Sequence, residues 1–113
     1  MEAFDLAQLL SQPHQSAYLE FLRMPSLSMG VYRLRAGGTD PQQPHNEDEV
    51  YYVVSGAAQI RVGREDRPVK AGSIVFVAAG LDHLFHSITE DMTILVFFAP
   101  AEHTVTGPKG VDR

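Results

Sequence analysis

The sequence contains no cysteine. This absence excludes disulfide bonds, thiolate metal ligands and a cysteine nucleophile. Any metal ion would therefore be bound by imidazole, carboxylate, amide or water ligands.

Basic residues and long apolar runs are also scarce. There are nine Lys and Arg against 14 Asp and Glu, and the formal net charge is -5. Scattered basic residues do not form a nucleic-acid footprint, and the acidity disfavours an anionic membrane surface. No apolar stretch reaches the roughly 20 residues of a spanning helix, and the first residues lack the pattern of a signal peptide. We therefore expect no nucleic-acid or membrane partner and a cytoplasmic location.

The length and composition predict one globular domain over residues 1–113. The chain has 113 residues, of which 44% are hydrophobic and 20% are charged, as in ordinary folded domains. We place the core at about residues 16–100. From about Glu102 the sequence has little apolar content and includes Gly107-Pro108. It predicts a tail over 102–113 that is mobile unless a partner chain holds it.

The first residues fit a short helix or an extended arm equally well. Asp5 is followed three residues later by Gln8, which is a capping-box pattern, and Leu6, Leu9 and Leu10 follow.

From Ser16 onward, short apolar or alternating runs are separated by turn signals such as Met24-Pro25-Ser26, Ser55-Gly56 and Gly63-Arg64-Glu65-Asp66. This spacing predicts an all-β barrel or sandwich, and the lack of helical segments between the runs argues against a parallel α/β sheet. The runs are Ala17–Leu22, Ser28–Leu34, Glu49–Val54, Ala57–Val62, Ser73–Val77, His83–Ile88 and Thr93–Ala99.

One group of polar residues has the spacing of a metal site. His45 precedes Glu49 by four residues at the start of a strand, and Gln43 lies two residues before His45. Extended backbone places these three positions on one face, and a second strand supplies His83. Two imidazoles and one carboxylate form the ligand set of non-haem iron sites, which leave coordination positions open. Gln43 could add a weaker oxygen ligand.

Other interpretations of these residues stay open. Glu47, Asp48 and Glu49 form an acidic run, which is most often a solvated turn. The segment from His83 could be an ordinary edge strand with polar ends. Because alternate strand residues face opposite sides, His86 and Asp82 are predicted to point away from His83 and from the site.

Two segments resemble the paired motifs of the cupin family. The first cupin motif is G-x5-H-x-H-x3-4-E-x6-G, and here Gly37, Gln43, His45, Glu49 and Gly56 stand at its positions. The second is G-x5-P-x-G-x2-H-x3-N, and its positions hold Gly72, Ala78, Gly80, His83 and Ser87. The resemblance implies a cupin-type double-stranded β-helix, or jelly-roll, barrel.

The resemblance also implies one divalent metal ion, which is Fe, Mn, Ni, Zn or Cu in this family, on His45, Glu49 and His83. Three positions depart from the family pattern. Ala78 and Ser87 affect a turn and a strand end. Gln43 replaces the first metal histidine, so it is either a weaker fourth ligand or a hydrogen-bonding partner of water or substrate.

Three functions are compatible with this resemblance. The first is an enzyme, such as a dioxygenase, isomerase or lyase, acting on a small oxygenated molecule. The second is a non-catalytic module that binds or senses a small molecule through its metal, and the third is a barrel that has lost its metal and only assembles. The fold does not decide among them.

Several further residues are candidates for ligand contacts or for assembly. The aromatic residues Tyr32, Tyr51, Phe85 and Phe97 line an apolar pocket mouth or belong to the core, and Arg33, Arg35 and Arg61 anchor a charged substrate or lie on the surface. Resemblance to small cupins implies a homodimer, to which the apolar segment Ser16–Leu22 would contribute as an exposed strand edge.

Overall fold

A computed structural model describes residues 1–13, 16–41 and 44–105. The described residues form one helix and six strands, so the all-β prediction is confirmed and the first residues form a helix. Asp5 precedes this helix, but its side chain forms no capping hydrogen bond. The elements are α1 Leu6–Ser11, β1 Tyr18–Met24, β2 Leu27–Leu34, β3 Asp48–Val62, β4 Glu65–Lys70, β5 Ile74–Val77 and β6 His83–Ala99.

All strand pairs are antiparallel, in the order β1-β2-β6-β3-β4, and β5 also pairs with β3. The two longest strands, β3 and β6, pair from one end to the other, with Asp48 opposite Ala99 and Val62 opposite His83. Register shifts between Val53 and Gln59 interrupt this pairing. Such bulges bend strands, so the two halves of β3 and β6 curl around a shared core.

The core consists of apolar side chains that alternate with exposed ones along the strands, as expected when one face of a sheet is buried. Burying these side chains is the main stabilising contribution to the fold. The cluster contains Tyr32, Leu34, Tyr51, Val53, Ala58, Ile60, Val69, Val77, Phe85, Ile88, Met92, Ile94, Val96 and Phe98.

Two predicted strand boundaries are wrong. The local pattern predicts a turn at Gly56, but this residue lies inside β3 with a φ of 98°. A Cβ atom there would be 2.4 Å from the carbonyl oxygen of Asp91, so glycine lets β3 and β6 approach closely at the bulge. The predicted break between Ile88 and Thr93 likewise lies inside β6.

The strand β4 was not predicted, because its residues are polar and exposed except for Val69. Pro68 is compatible with it because β4 lies at the end of the strand order, where a missing N–H is tolerated. Among the described residues, no helix is long and apolar enough to cross a membrane.

Candidate metal centre

His45, Glu49 and His83 come together at one end of the barrel. His45 lies just before β3, Glu49 is its second residue, and His83 begins β6. Each side chain offers a ligand atom, and these atoms all lie within 4.8 Å of one another. All three residues are at most 9% exposed. Gln43 lies outside the described residues, so its role stays a prediction.

The polar atoms of this group face one another without hydrogen bonds. Glu49 Oε1 lies 3.0 Å from His83 Nε2 and 3.8 Å from His45 Nδ1. Within residues 1–13, 16–41 and 44–105, these three atoms and Glu49 Oε2 are buried and have no hydrogen-bond partner. Each buried polar atom left unpaired costs about 1–3 kcal/mol, so four in one place need a compensating ligand.

The distances suit a transition-metal ion. Ligand atoms about 2.1 Å from a zinc ion are about 3.0 Å apart at right angles and about 3.4 Å apart at tetrahedral angles. The separation of 3.0 Å lies at the lower end of that range and the separation of 3.8 Å lies above it, so side-chain adjustments would bring all three ligands onto one ion.

The imidazole of His83 is oriented by the backbone. Its Nδ1 lies 2.9 Å from the carbonyl oxygen of Leu81, which fixes the N–H on Nδ1 and leaves the Nε2 lone pair facing Glu49. Burial lowers the pKa of His83, but the Glu49 carboxylate, the Leu81 carbonyl and Asp40 together raise it by more, so the net pKa lies above the ordinary value for histidine.

The imidazole of His45 contacts a residue that we did not predict. Its Nε2 lies 2.9 Å from Oε2 of Glu102, which follows β6, and the Phe98 ring packs at 4.8 Å between centroids. His103 Nε2 lies 3.4 Å from the same Glu102 oxygen. No sequence signal pointed to Glu102, because only the folded barrel brings it to His45.

The acidic run does not form a solvated turn, and that interpretation is wrong. Glu47, just before β3, and Glu49, the second residue of β3, are buried, at 3% and 1% exposed. The Glu47 carboxylate accepts the backbone N–H groups of His103 at 3.2 Å and Val105 at 2.9 Å. Asp48 is exposed and accepts the N–H of Ala79 at 2.9 Å.

The predicted tail is also bound to the barrel at its beginning. Residues 101–105 contact β2 and the loop before β3 through backbone and side-chain hydrogen bonds. These residues belong with the barrel, because Glu47 binds their backbone. The remainder of the predicted tail, 106–113, lies outside the described residues.

The strand-face prediction separates the histidines correctly. His86 points away from the centre, where its Nε2 lies 2.6 Å from Asp66 Oδ1. The hydrogen bond from His86 and that from Arg61 hold the pKa of Asp66 below its ordinary value. Asp82 is exposed, as predicted.

Of the candidate ligand-contact residues, the aromatic ones lie nearer the centre than the arginines, and the Tyr51 ring packs 6.0 Å from that of His83. Tyr51 and Phe85 belong to the buried core, and the Tyr32 hydroxyl donates to Asp40. Phe97 is only half-buried. Arg33 donates to the carbonyl of Leu10, Arg61 pairs with Asp66, and Arg35 is exposed. These contacts do not place the three arginines at the metal centre.

A second unpredicted residue, Tyr18, lies in the same barrel end. Its ring packs between Tyr32 and Phe98, with centroid distances of 6.3 and 6.4 Å, and its hydroxyl is buried with no hydrogen-bond partner among the described residues. Gly30 makes this position possible, because a Cβ atom there would be 2.2 Å from the Tyr18 ring.

Comparison with known proteins decides the family. The family model of the cupin domain matches residues 30–98, which is more than half of the chain and includes the three converging residues. The chain belongs to the cupin family. The predicted double-stranded β-helix barrel is thereby confirmed.

Similar proteins include one sequence relative and many solved structures. An uncharacterized protein of Streptomyces coelicolor is 51% identical over 104 residues, which covers 90% of this cupin and 99% of the relative. The structure of TT1209 from Thermus thermophilus is 26% identical with a TM-score of 0.70, and the match covers 89% of this chain and 99% of that one.

The DMSP lyase DddQ from Ruegeria pomeroyi is also 26% identical, with a TM-score of 0.63. The match covers 67% of this cupin but only 39% of the lyase. The chain therefore corresponds to less than half of that enzyme, and the likeness concerns one barrel.

Proposed function

We propose that this cupin binds one divalent transition-metal ion on His45, Glu49 and His83, and binds a small oxygenated organic molecule at that ion. The supporting observation is the convergence of four buried donor atoms that have no hydrogen-bond partner among the described residues. A cation is the ligand that compensates two imidazole lone pairs and a carboxylate together.

The donor set favours particular ions and an open coordination sphere. Imidazole ligands favour Fe, Ni, Zn or Cu over Mg or Ca, and the Glu49 carboxylate, which also suits Mn, offsets part of the charge of a divalent ion. Three protein ligands leave positions free for another molecule. Such an ion would polarise an oxygen atom of a ligand.

Tyr18 supplies a hydrogen-bond donor for that molecule. Burial raises the pKa of its hydroxyl, and the carboxylates of Glu102, Glu20 and Glu49 raise it further, so the phenol stays protonated at neutral pH. A buried hydroxyl without a described partner can donate to a ligand oxygen, while the neighbouring rings of Phe98 and Tyr32 provide apolar contacts.

The reaction class we favour is that of a small dioxygenase, isomerase or lyase. The likeness to a DMSP lyase supports an enzyme of this kind, but its substrate is not transferred to this chain, which spans 39% of that protein. The alternative is a non-catalytic module that senses a small molecule through the same ion.

Elemental analysis of the purified protein tests the metal, and a screen of small organic acids and diketones with that metal restored tests the ligand. We expect about one ion per chain. Tyr18→Phe should retain the metal but weaken ligand binding, whereas Tyr52→Phe, on the exposed outer face, should change neither.

Absence of metal in the wild type would contradict the proposal. Ligand binding without product would select the sensing alternative.

A further inference from the structure

The segment Ala101–Val105, which we call the C-terminal strap, is held against the barrel at several points. The backbone N–H of Glu102 donates to the buried Ser28 hydroxyl at 2.9 Å. The Glu47 carboxylate accepts the N–H groups of His103 and Val105. Backbone contacts therefore hold the strap, independently of the Glu102 side chain.

The strap places the Glu102 carboxylate on the imidazole of His45, with 2.9 Å between Oε2 and Nε2. A carboxylate only accepts hydrogen bonds, and a neutral imidazole has one N–H. In the neutral form of His45 the hydrogen therefore lies on Nε2, and the lone pair lies on Nδ1.

The Nδ1 atom of His45 is the one that faces the other ligands. It is buried, has no hydrogen-bond partner among the described residues, and lies 3.8 Å from Glu49 Oε1. His83 has the opposite arrangement, because its Nδ1 is bound to the Leu81 carbonyl and its Nε2 faces Glu49.

We propose that Glu102 is a positioning residue of the metal centre, which binds Nε2–H of His45 and so presents Nδ1 to the ion. This inference rests on the proposed metal function. Histidine ligands commonly donate their other N–H to a carboxylate, which fixes the tautomer and ring orientation and increases the basicity of the coordinating nitrogen.

Loss of the Glu102 carboxylate should weaken metal binding without removing a ligand. In Glu102→Ala the other His45 tautomer becomes accessible, and in that tautomer a hydrogen on Nδ1 points toward the ion. Removal of such a partner typically lowers metal affinity about 10- to 100-fold. In Glu102→Gln the amide oxygen can still accept the hydrogen bond, so the loss should be smaller.

The direct experiment is zinc titration of the ¹⁵N-labelled full chain, followed through the imidazole nitrogen resonances. Metal-free wild type should show His45 protonated on Nε2. Zinc should shift Nδ1 of His45 and Nε2 of His83. In metal-free Glu102→Ala, His45 should lose its preference for the Nε2–H tautomer. If Glu102 had only a structural role, that preference would be unchanged.

Zinc affinity of the variants completes the test, with melting temperatures of the metal-free proteins to confirm folding. Glu90→Ala is the matched control, because it removes an exposed carboxylate of β6 that pairs opposite Ala57, among the register shifts in the middle of β3. Zinc coordination through Nε2 of His45, or unchanged affinity in Glu102→Ala, would overturn the inference and leave the metal function standing. No zinc-dependent shift in the wild type would instead refute the metal function itself, and the inference with it.

Discussion

His83 and His86 are three positions apart but differ completely in their surroundings. His83 offers a buried Nε2 to the centre, and His86 binds Asp66 on the outside of the barrel. We expect His83→Ala to cut metal content sharply, because it removes one of two imidazole ligands, whereas His86→Ala should leave the metal content unchanged. Elemental analysis measures the metal content of each variant, after circular dichroism has confirmed that the variant is folded.

The reverse result, loss of metal in His86→Ala and retention in His83→Ala, would show that the proposed site is wrong. Gln43 remains to be tested in the same way. Gln43→Ala should weaken binding modestly if the amide is a fourth ligand, and Gln43→His, which restores the family pattern, should tighten it.

The three proposed ligands were accessible from the sequence, but their neighbours were not. His45, Glu49 and His83 have positions fixed by two motifs with defined spacing. Tyr18 and Glu102 come from β1 and from the strap, and no spacing rule relates them to either motif. Both positions depend on how the barrel closes, and that of Tyr18 depends also on the absence of a side chain at Gly30.

The strands β3 and β6 show where local turn signals mislead. Ser55-Gly56 is a reliable turn pattern, yet here Gly56 forms a bulge within a strand of 15 residues. Pairing with β6 on both sides of the bulge outweighs the local preference. The exposed strand β4 lacked an alternating apolar pattern, so its pairing with β3 could not be read from its residues alone.

Gly56 should therefore be intolerant of substitution. Gly56→Ala combines a φ of 98° with a Cβ position 2.4 Å from the Asp91 carbonyl oxygen. We expect a loss of at least about 2 kcal/mol in the free energy of unfolding, because the strained backbone and the steric contact add. Urea denaturation measures the change.

Gly63→Ala is the matched control for this variant. Gly63 also has a positive φ, 59°, but nothing lies within 4 Å of its Cβ position, so only the left-handed backbone is penalised, at about 1 kcal/mol. If both variants lost the same free energy of unfolding, the close approach of β3 and β6 at Gly56 would make no contribution to the cost of the substitution.

At the scale of the whole molecule, the homodimer stays a prediction. The sequence suggested the strand edge Ser16–Leu22 as the dimer contact, and the structure shows a second candidate, an apolar outer face. Ile74 and Phe76 are exposed on β5, and Tyr52 pairs with Ile74 on the same face. We expect a dimer by light scattering at micromolar concentration, weakened in Phe76→Ser if this face is the contact. A monomeric wild type would contradict the prediction.

Metal binding should stabilise the entire barrel, because its proposed ligands come from the starts of the two longest strands. Glu49 and His83 belong to β3 and β6, which pair along their whole length, so separating them requires unfolding of the central pair. An ion at 100 times its dissociation constant adds about 2.7 kcal/mol if it binds only the folded state. For a domain of this size, that corresponds to roughly 10 °C in melting temperature.

A chelator should therefore lower the melting temperature of the metal-loaded protein, and restoring the ion should raise it again. His83→Ala is the control, because it removes a ligand and should make the melting temperature insensitive to both additions. His86→Ala should respond like the wild type, since its imidazole lies on the outer face. If the wild type responds to neither addition, the buried donors at His45, Glu49 and His83 do not bind an ion in the folded state, and a barrel without metal becomes the better description.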